Sequence, residues 1–294
     1  MLDFLLYLNP WAQVACVLPM LCLPTVLGLW VIRMLVPVER LKKNHEVAGF
    51  TFGVLGAFYG LFLAFVIVAA WQRYDRADES VQHEALSITA LYRLAGDFQE
   101  PTRGVLQHGI RTYLASIIER DWPEMANNTY AAKRDAVGAM FLWKIVADYK
   151  PADSHQQALV DKSFDQLDQI SNARAMRYLY YAESLPHMVW MVIYAGLFII
   201  IGFSYFFGLE SFGSQALMCA VFSGLLGLTI LAILELAHPY QGTQAVPLSP
   251  MTYAEVRMNA IDEVATAHGI DDSNSDVATN AARKPLSLQD AFAW

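Results

Sequence analysis

The sequence has no block of basic residues, no Cys/His cluster and no glycine-rich phosphate loop, and each absence removes a class of function. Its 20 Lys and Arg are outnumbered by 28 Asp and Glu and are scattered, so a nucleic-acid binder's electrostatic footprint is missing. Cysteine is scarce: Cys16, Cys22 and Cys219 all sit in apolar runs, which excludes a disulfide framework in the polar sequence and reads as small packing residues. His83, His108 and His155 stand apart, with no H-E-x-x-H or other ligand spacing, so neither a metal nor a cofactor is expected. The acidic residues recur at helical surface spacings rather than paired in apolar surroundings, and solvated faces account for them better than acid–base chemistry. An enzyme is not expected. No repeat of fixed period is visible, which argues against a transporter built from inverted repeats.

Long uncharged runs are what the sequence does have. Residues 47–71, VAGFTFGVLGAFYGLFLAFVIVAAW, hold no ionisable side chain. A helix needs about 20 apolar residues to cross the hydrocarbon core. Three more runs of spanning length follow the same rule, at residues 11–36, 185–208 and 213–236. The first is read as a retained helix rather than a signal peptide, because residues 1–10 carry no basic segment and the apolar stretch is too long. Pro19 and Pro24 inside it predict a kink.

The run at 47–71 has two organised faces. At 100° per residue Gly49, Gly53, Gly56 and Gly60 fall within a sector of roughly 60°, with Phe58, Phe62 and Phe65 on the opposite side. Two readings of these faces stand side by side. Glycine lets helices approach closely in a membrane, so both faces can serve helix packing. Alternatively the Phe stripe lines a hydrophobic passage that gates by dewetting.

Between the second and third spans, residues 72–184 alternate charged and apolar residues at helical spacing, with few strand-like runs. They predict an extramembrane helical bundle. Its first helix grows from the second span, since no proline occurs until Pro101 and only Gly96 interrupts near the end. Breaks at Pro101, at Pro123 with Asn127 and Asn128, and at Pro151 divide the rest into three helices. The last is expected to run from Asp153 into the third span, kinked at Leu185-Pro186. The fold class is therefore all-α: four transmembrane helices with a helical bundle inserted between the second and third. The segments are 1–71, 72–184, 185–238 and a tail from 239, in which a short helix is expected near residues 253–267 and disorder from about Gly269. Orientation stays open. The loop after the first span concentrates Arg33, Arg40, Lys42 and Lys43, while Arg73, Arg76, Arg174 and Arg177 flank the other side.

Several spaced motifs then point to a family. NHEVAGF leads into the second span, followed by Trp71 and Tyr74, Glu84-Ala85 and Leu91-Tyr92-Arg93; SLPHMVW opens the third span, and Glu235 with HPYQG closes the fourth. Over roughly residues 44–250 this pattern resembles the bestrophin-like family of membrane proteins. The family tends to end its fourth span in Asp-Arg-Pro-Phe-x-Gly, where Ala237 and His238 replace the charged pair here. The resemblance implies a four-span protomer of an oligomeric anion channel, with a cytoplasmic helical domain and an apolar neck lined by the second span. By that resemblance Phe58, Phe62 and Phe65 are neck candidates, and Gly49, Gly53, Gly56 and Gly60 allow close packing around them.

Charged groups beside the spans complete the candidate set. Glu235 is ionisable at membrane depth, which marks a functional position by default, although an interfacial, solvated place also explains it, with His238 close by. Asn44, His45 and Glu46 precede the second span and are candidates for an ion-attracting mouth. The expected partners are a lipid bilayer and further copies of the chain in a homo-oligomer, with the expected location a cell membrane of bacterial inner-membrane type. The alternative function is a non-conducting scaffold or sensor whose helical domain binds a partner protein.

Overall fold

The computed structural model describes residues 3–37, 45–130, 132–207, 209 and 211–267, with the backbone only of 45–47, 132–138 and 267. Among these, nine α-helices account for most of the chain. Helix α1 is Pro10–Leu35, α2 His45–Ala95, α3 Thr102–Ser116, α4 Trp122–Ala126, α5 Ala132–Asp148, α6 Ser154–Ala182, α7 His187–Ser204, α8 Phe212–Ala237 and α9 Ser249–Ala267. Four stretches, Pro10–Leu35, Ala48–Ala95, Ser154–Ser204 and Phe212–Ala237, contain helix long and apolar enough to cross a membrane.

The sequence explains the helix ends. Asn9 caps α1, its side-chain oxygen accepting from the Ala12 N–H at 2.8 Å, and Pro10 takes the first position, where the missing N–H costs nothing. Pro19 and Pro24 both lie inside α1, which continues through them to Leu35. Helix α2 is one element of 51 residues, as the proline-free sequence predicts.

Two details differ from the sequence reading. Pro123 does not end a helix. A π-helical turn at Ile117–Asp121 passes directly into α4, and the break comes at Asn128, which holds a left-handed φ of 56°. Helix α6 stops at Ala182 and α7 starts at His187, so the expected kink is a four-residue interruption at 183–186. Pro186 caps α7 at a β-like ψ, and because it has no N–H it cannot continue the ladder of α6. The disorder expected from about Gly269 falls outside the described residues.

The chain forms two compact units. The first comprises Met1–Arg76 and Tyr180–Ala245 and holds the four apolar helices. Helices α1 and α8 pack antiparallel in it: Gln13 near the start of α1 meets Glu235 near the end of α8, and Arg33 near the end of α1 meets Gln215 near the start of α8. Small residues set the approach. A Cβ on Gly227 would lie 2.5 Å from Leu21 Cδ1, and one on Gly224 would lie 3.2 Å from Leu18 Cδ2. Helix α7 meets α2 in the same way, because a Cβ on Gly196 would overlap the Tyr59 ring. Tyr59, Leu63 and Val66 of α2 form one core with Ile193, Leu197 and Ile230. Leu5 and Leu6, in a short 3₁₀ helix at Asp3–Tyr7, form a second core with Val17 and Leu234.

The second unit comprises Ala77–Leu179 and Val246–Trp294. Val81, Ile88, Leu91 and Ala95 of α2 are fully buried there, as are Leu106 and Ile110 of α3. Helix α9, read from the sequence as a short helix in a tail, belongs to this unit. Asp262 on α9 accepts from Tyr92 at 2.7 Å and from Arg111 at 2.5 Å, and Asn259 accepts from Arg111 at 2.9 Å.

Candidate pore-facing helix and buried carboxylates

The membrane-spanning part of α2 presents three faces rather than two. Its packed stripe, Phe52, Tyr59, Leu63 and Val66, lies on the helical wheel between the glycine and phenylalanine faces that the sequence distinguishes. The Tyr59 hydroxyl, which would be costly to leave unpaired at this depth, donates to the Ile193 carbonyl at 2.7 Å. Phe58 and Phe65 are exposed at 70% and 67%. Phe62 parts from them: it is half-buried against the core and stacks on Tyr59 with ring centroids 6.4 Å apart.

The glycine face is open in the protomer. Among the described residues no atom outside the local backbone comes within 4 Å of a Cβ built on Gly53, Gly56 or Gly60, and Gly49 meets Phe207 alone, at 3.8 Å. The close helix packing within the chain is carried by Gly196, Gly224 and Gly227 instead. In the fourth span Gly213, Gly224 and Gly227 do share a sector of roughly 60°, a signal the sequence carries, whereas the glycines of the third span are spread around the helix.

Glu235 is buried, which overturns the solvated interfacial reading. Only 8% of it is exposed, although it lies within three residues of the end of α8. The buried Gln13 side chain donates to its Oε1 and to the Leu5 carbonyl, the latter at 3.1 Å. The Gln244 backbone N–H also lies against the carboxylate, and no cation among the described residues pairs with it. The HPYQG segment folds back over this carboxylate, and Gly242 makes that possible with a φ of +82°. A Cβ there would lie 3.0 Å from the Leu6 carbonyl oxygen and 3.1 Å from Glu235 Oε2. His238 is not joined to Glu235 through its ring, whose Nδ1 lies 3.0 Å from the Leu234 carbonyl. Asn44, and the side chains of His45 and Glu46, lie outside the described residues.

A second buried carboxylate, Glu84, sits in the helical domain. Arg177 Nε donates to its Oε2 at 2.9 Å and Nη2 to its Oε1 at 3.2 Å, while the Tyr113 hydroxyl donates to Oε1 at 2.8 Å. Asp121, from the π-helical turn, is also buried and lies 3.8 Å from Arg177 Nη2 and 3.1 Å from the half-exposed Arg120. Burial, reinforced by the negative charge of Glu84, pushes the Tyr113 phenol well above its usual range. Tyr113 therefore acts as a neutral donor. The sequence did carry a signal for Arg177, because it continues the apolar stripe Ile170, Ala173 at helical spacing and so occupies a core position. In sequence its charge reads equally as a marker of membrane orientation. Arg73, which reads likewise, donates to the carbonyls of Tyr180 and Glu183.

Four apolar helices with a helical domain between the second and third crossings define a multi-pass membrane protein. A family model for the Bestrophin-like domain matches residues 20–251, and the chain belongs to that family. The solved structure of a bacterial bestrophin homologue from Klebsiella pneumoniae, phased on zinc, is similar with a TM-score of 0.59 at 12% identity, covering 82% of this chain and 96% of that one. A mutant form of a Klebsiella pneumoniae bestrophin homologue gives 0.60 at 12% identity over 84% of this chain and 99% of that one. A structure described as a mutant membrane protein gives 0.60 at 13% identity, over 85% and 98%. At these identities the likeness is one of fold. A comparison with curated proteins returned no match.

Proposed function

We propose that the chain is the protomer of a homo-oligomeric anion channel in a cell membrane of bacterial inner-membrane type, with the Phe58 and Phe65 face of α2 lining the pore. One observation carries this reading: two large aromatic side chains one heptad apart are left exposed on a helix whose neighbouring stripe is packed. A single four-helix protomer offers no conduction path, so a path needs copies arranged around an axis. Rings of phenylalanine contributed by each copy would form an apolar constriction that gates by dewetting. The open glycine face at Gly53, Gly56 and Gly60 supports the same reading, since it leaves room for the backbone of a neighbouring copy. Membership of the Bestrophin-like family makes chloride the first ion to try.

Planar-bilayer recordings under a chloride gradient test the proposal. Phe58→Ala and Phe65→Ala are expected to raise conductance or open probability several-fold, whereas Phe62→Ala is expected to lower melting temperature and leave conductance unchanged. Purified rings that pass no current in any of these forms would reject the channel and leave an anchoring scaffold.

A further inference from the structure

The short 3₁₀ helix at Asp3–Tyr7 turns its aromatic side chains outward. Such a helix has three residues per turn, so Phe4 and Tyr7 stand one above the other on the same side. They are exposed at 56% and 51%, while Leu5 and Leu6 between them are buried in a core with Val17 and Leu234. The frame that holds the rings out is tied down. The Gln13 side chain donates to the Leu5 carbonyl at 3.1 Å, and the Leu6 carbonyl packs on Gly242, where a Cβ would lie 3.0 Å away. Trp11 follows at the second position of α1 and is 85% exposed, more than any other large apolar side chain among the described residues.

Position identifies what covers these rings. Helix α1 has 26 residues, about 39 Å at 1.5 Å per residue, against about 30 Å of hydrocarbon, so its first turn reaches the headgroup layer. From Trp11 a ridge at four-residue spacing, Ala15, Pro19, Leu23 and Leu27, runs along α1, every member of it uncharged and exposed. That ridge joins the rings to the surface that spans the bilayer. Left in water, each large apolar side chain would forfeit about 1.5–3 kcal/mol of transfer free energy. The Tyr7 hydroxyl and the Trp11 indole N–H also put a polar tip on an apolar ring, the form enriched where hydrocarbon meets headgroups, because ring and tip each find their own solvent there.

We propose that the Asp3–Tyr7 helix is a membrane-interface anchor, with Phe4, Tyr7 and Trp11 seated at the boundary between the headgroups and acyl chains of the bilayer. The anchor is independent of whether the protein conducts. Tryptophan fluorescence of the full chain, reconstituted in phosphatidylcholine vesicles brominated either near the headgroup end or near the methyl end of the acyl chain, tests it. The emission that Trp11→Phe removes should be quenched several-fold more strongly by bromine near the headgroup end. Tyr7→Trp in the otherwise unaltered chain adds a second reporter, whose added emission should show the same preference, and it decides the matter if Trp11→Phe does not fold. Stronger quenching from the methyl end would place the rings in the hydrocarbon core. Quenching by neither lipid would place them in water or against another copy of the chain. Either result overturns the proposal.

Discussion

The two units each bury a glutamate on a helix, and they treat it in opposite ways. In the helical domain Glu84 meets a guanidinium through both oxygens and a tyrosine hydroxyl besides, so its charge is neutralised where it sits. In the membrane unit Glu235 meets neutral groups, the carboxamide of Gln13 and the Gln244 backbone, with no cation beside it among the described residues. Burying a charge costs several kcal/mol unless an opposite charge and hydrogen bonds offset it. Glu84 is therefore held by an opposite charge, whereas the described partners of Glu235 are neutral. The same contrast holds for the cations: Arg177 is paired and wholly buried, and Arg33 is half-buried among amides. Among the described residues the extramembrane unit pairs its buried charges with one another, and the membrane unit sets its own against neutral groups.

The largest expected effect comes from breaking the paired side of this contrast. Arg177→Met strands Glu84 in an apolar core and should destabilise the full chain by about 3–5 kcal/mol, read as a fall in the thermal midpoint in detergent. Adding Glu84→Leu to that variant should restore part of the loss, because the stranded carboxylate is gone while the Tyr113 hydroxyl and Asp121 still lack their partners. No recovery would mean that the pair serves something other than its own neutralisation.

Glycine substitutions sharpen the comparison between packed and open helix faces. Gly196→Ala forces a methyl into the Tyr59 ring, and Gly227→Ala brings one to Leu21, so each should cost about 1–3 kcal/mol. Gly56→Ala meets nothing in the protomer and should gain up to about 1 kcal/mol of helix propensity. If Gly56→Ala raises the protomer's melting temperature but breaks up the oligomer in size-exclusion with light scattering, the open glycine face is the contact between copies.

The smallest effect is expected at Glu235. Glu235→Gln keeps an acceptor for Gln13 and removes the charge, so the stability should stay within about 1 kcal/mol of wild type or rise, read from the thermal midpoint. A fall as large as that of Arg177→Met would show that the ionised carboxylate is a structural requirement, and the contrast between the units would fail.

Much of the fold was legible because membrane physics writes it plainly. A bilayer admits no uncapped backbone, so an uncharged run such as residues 47–71 has few ways to fold, and the absence of proline before Pro101 carried that helix into the domain beyond. The site was legible only in part. Gly53, Gly56 and Gly60 share a face by helical arithmetic, but whether that face is filled depends on neighbours that arithmetic does not contain. Phe62 belongs to the same wheel sector as Phe58 and yet turns to Tyr59, because the packed stripe of α2 extends to its edge.

By itself, then, the amino-acid sequence determined the number of crossings, the helical class and the inserted domain, since each rests on local period and composition, and its spaced motifs carried the resemblance to the family. Tertiary structure alone decided which buried charges are answered. Arg177 reaches Glu84 across 93 positions and Gln13 reaches Glu235 across 222, and electrostatics at such separations depend on where the helices lie rather than on their order in the chain.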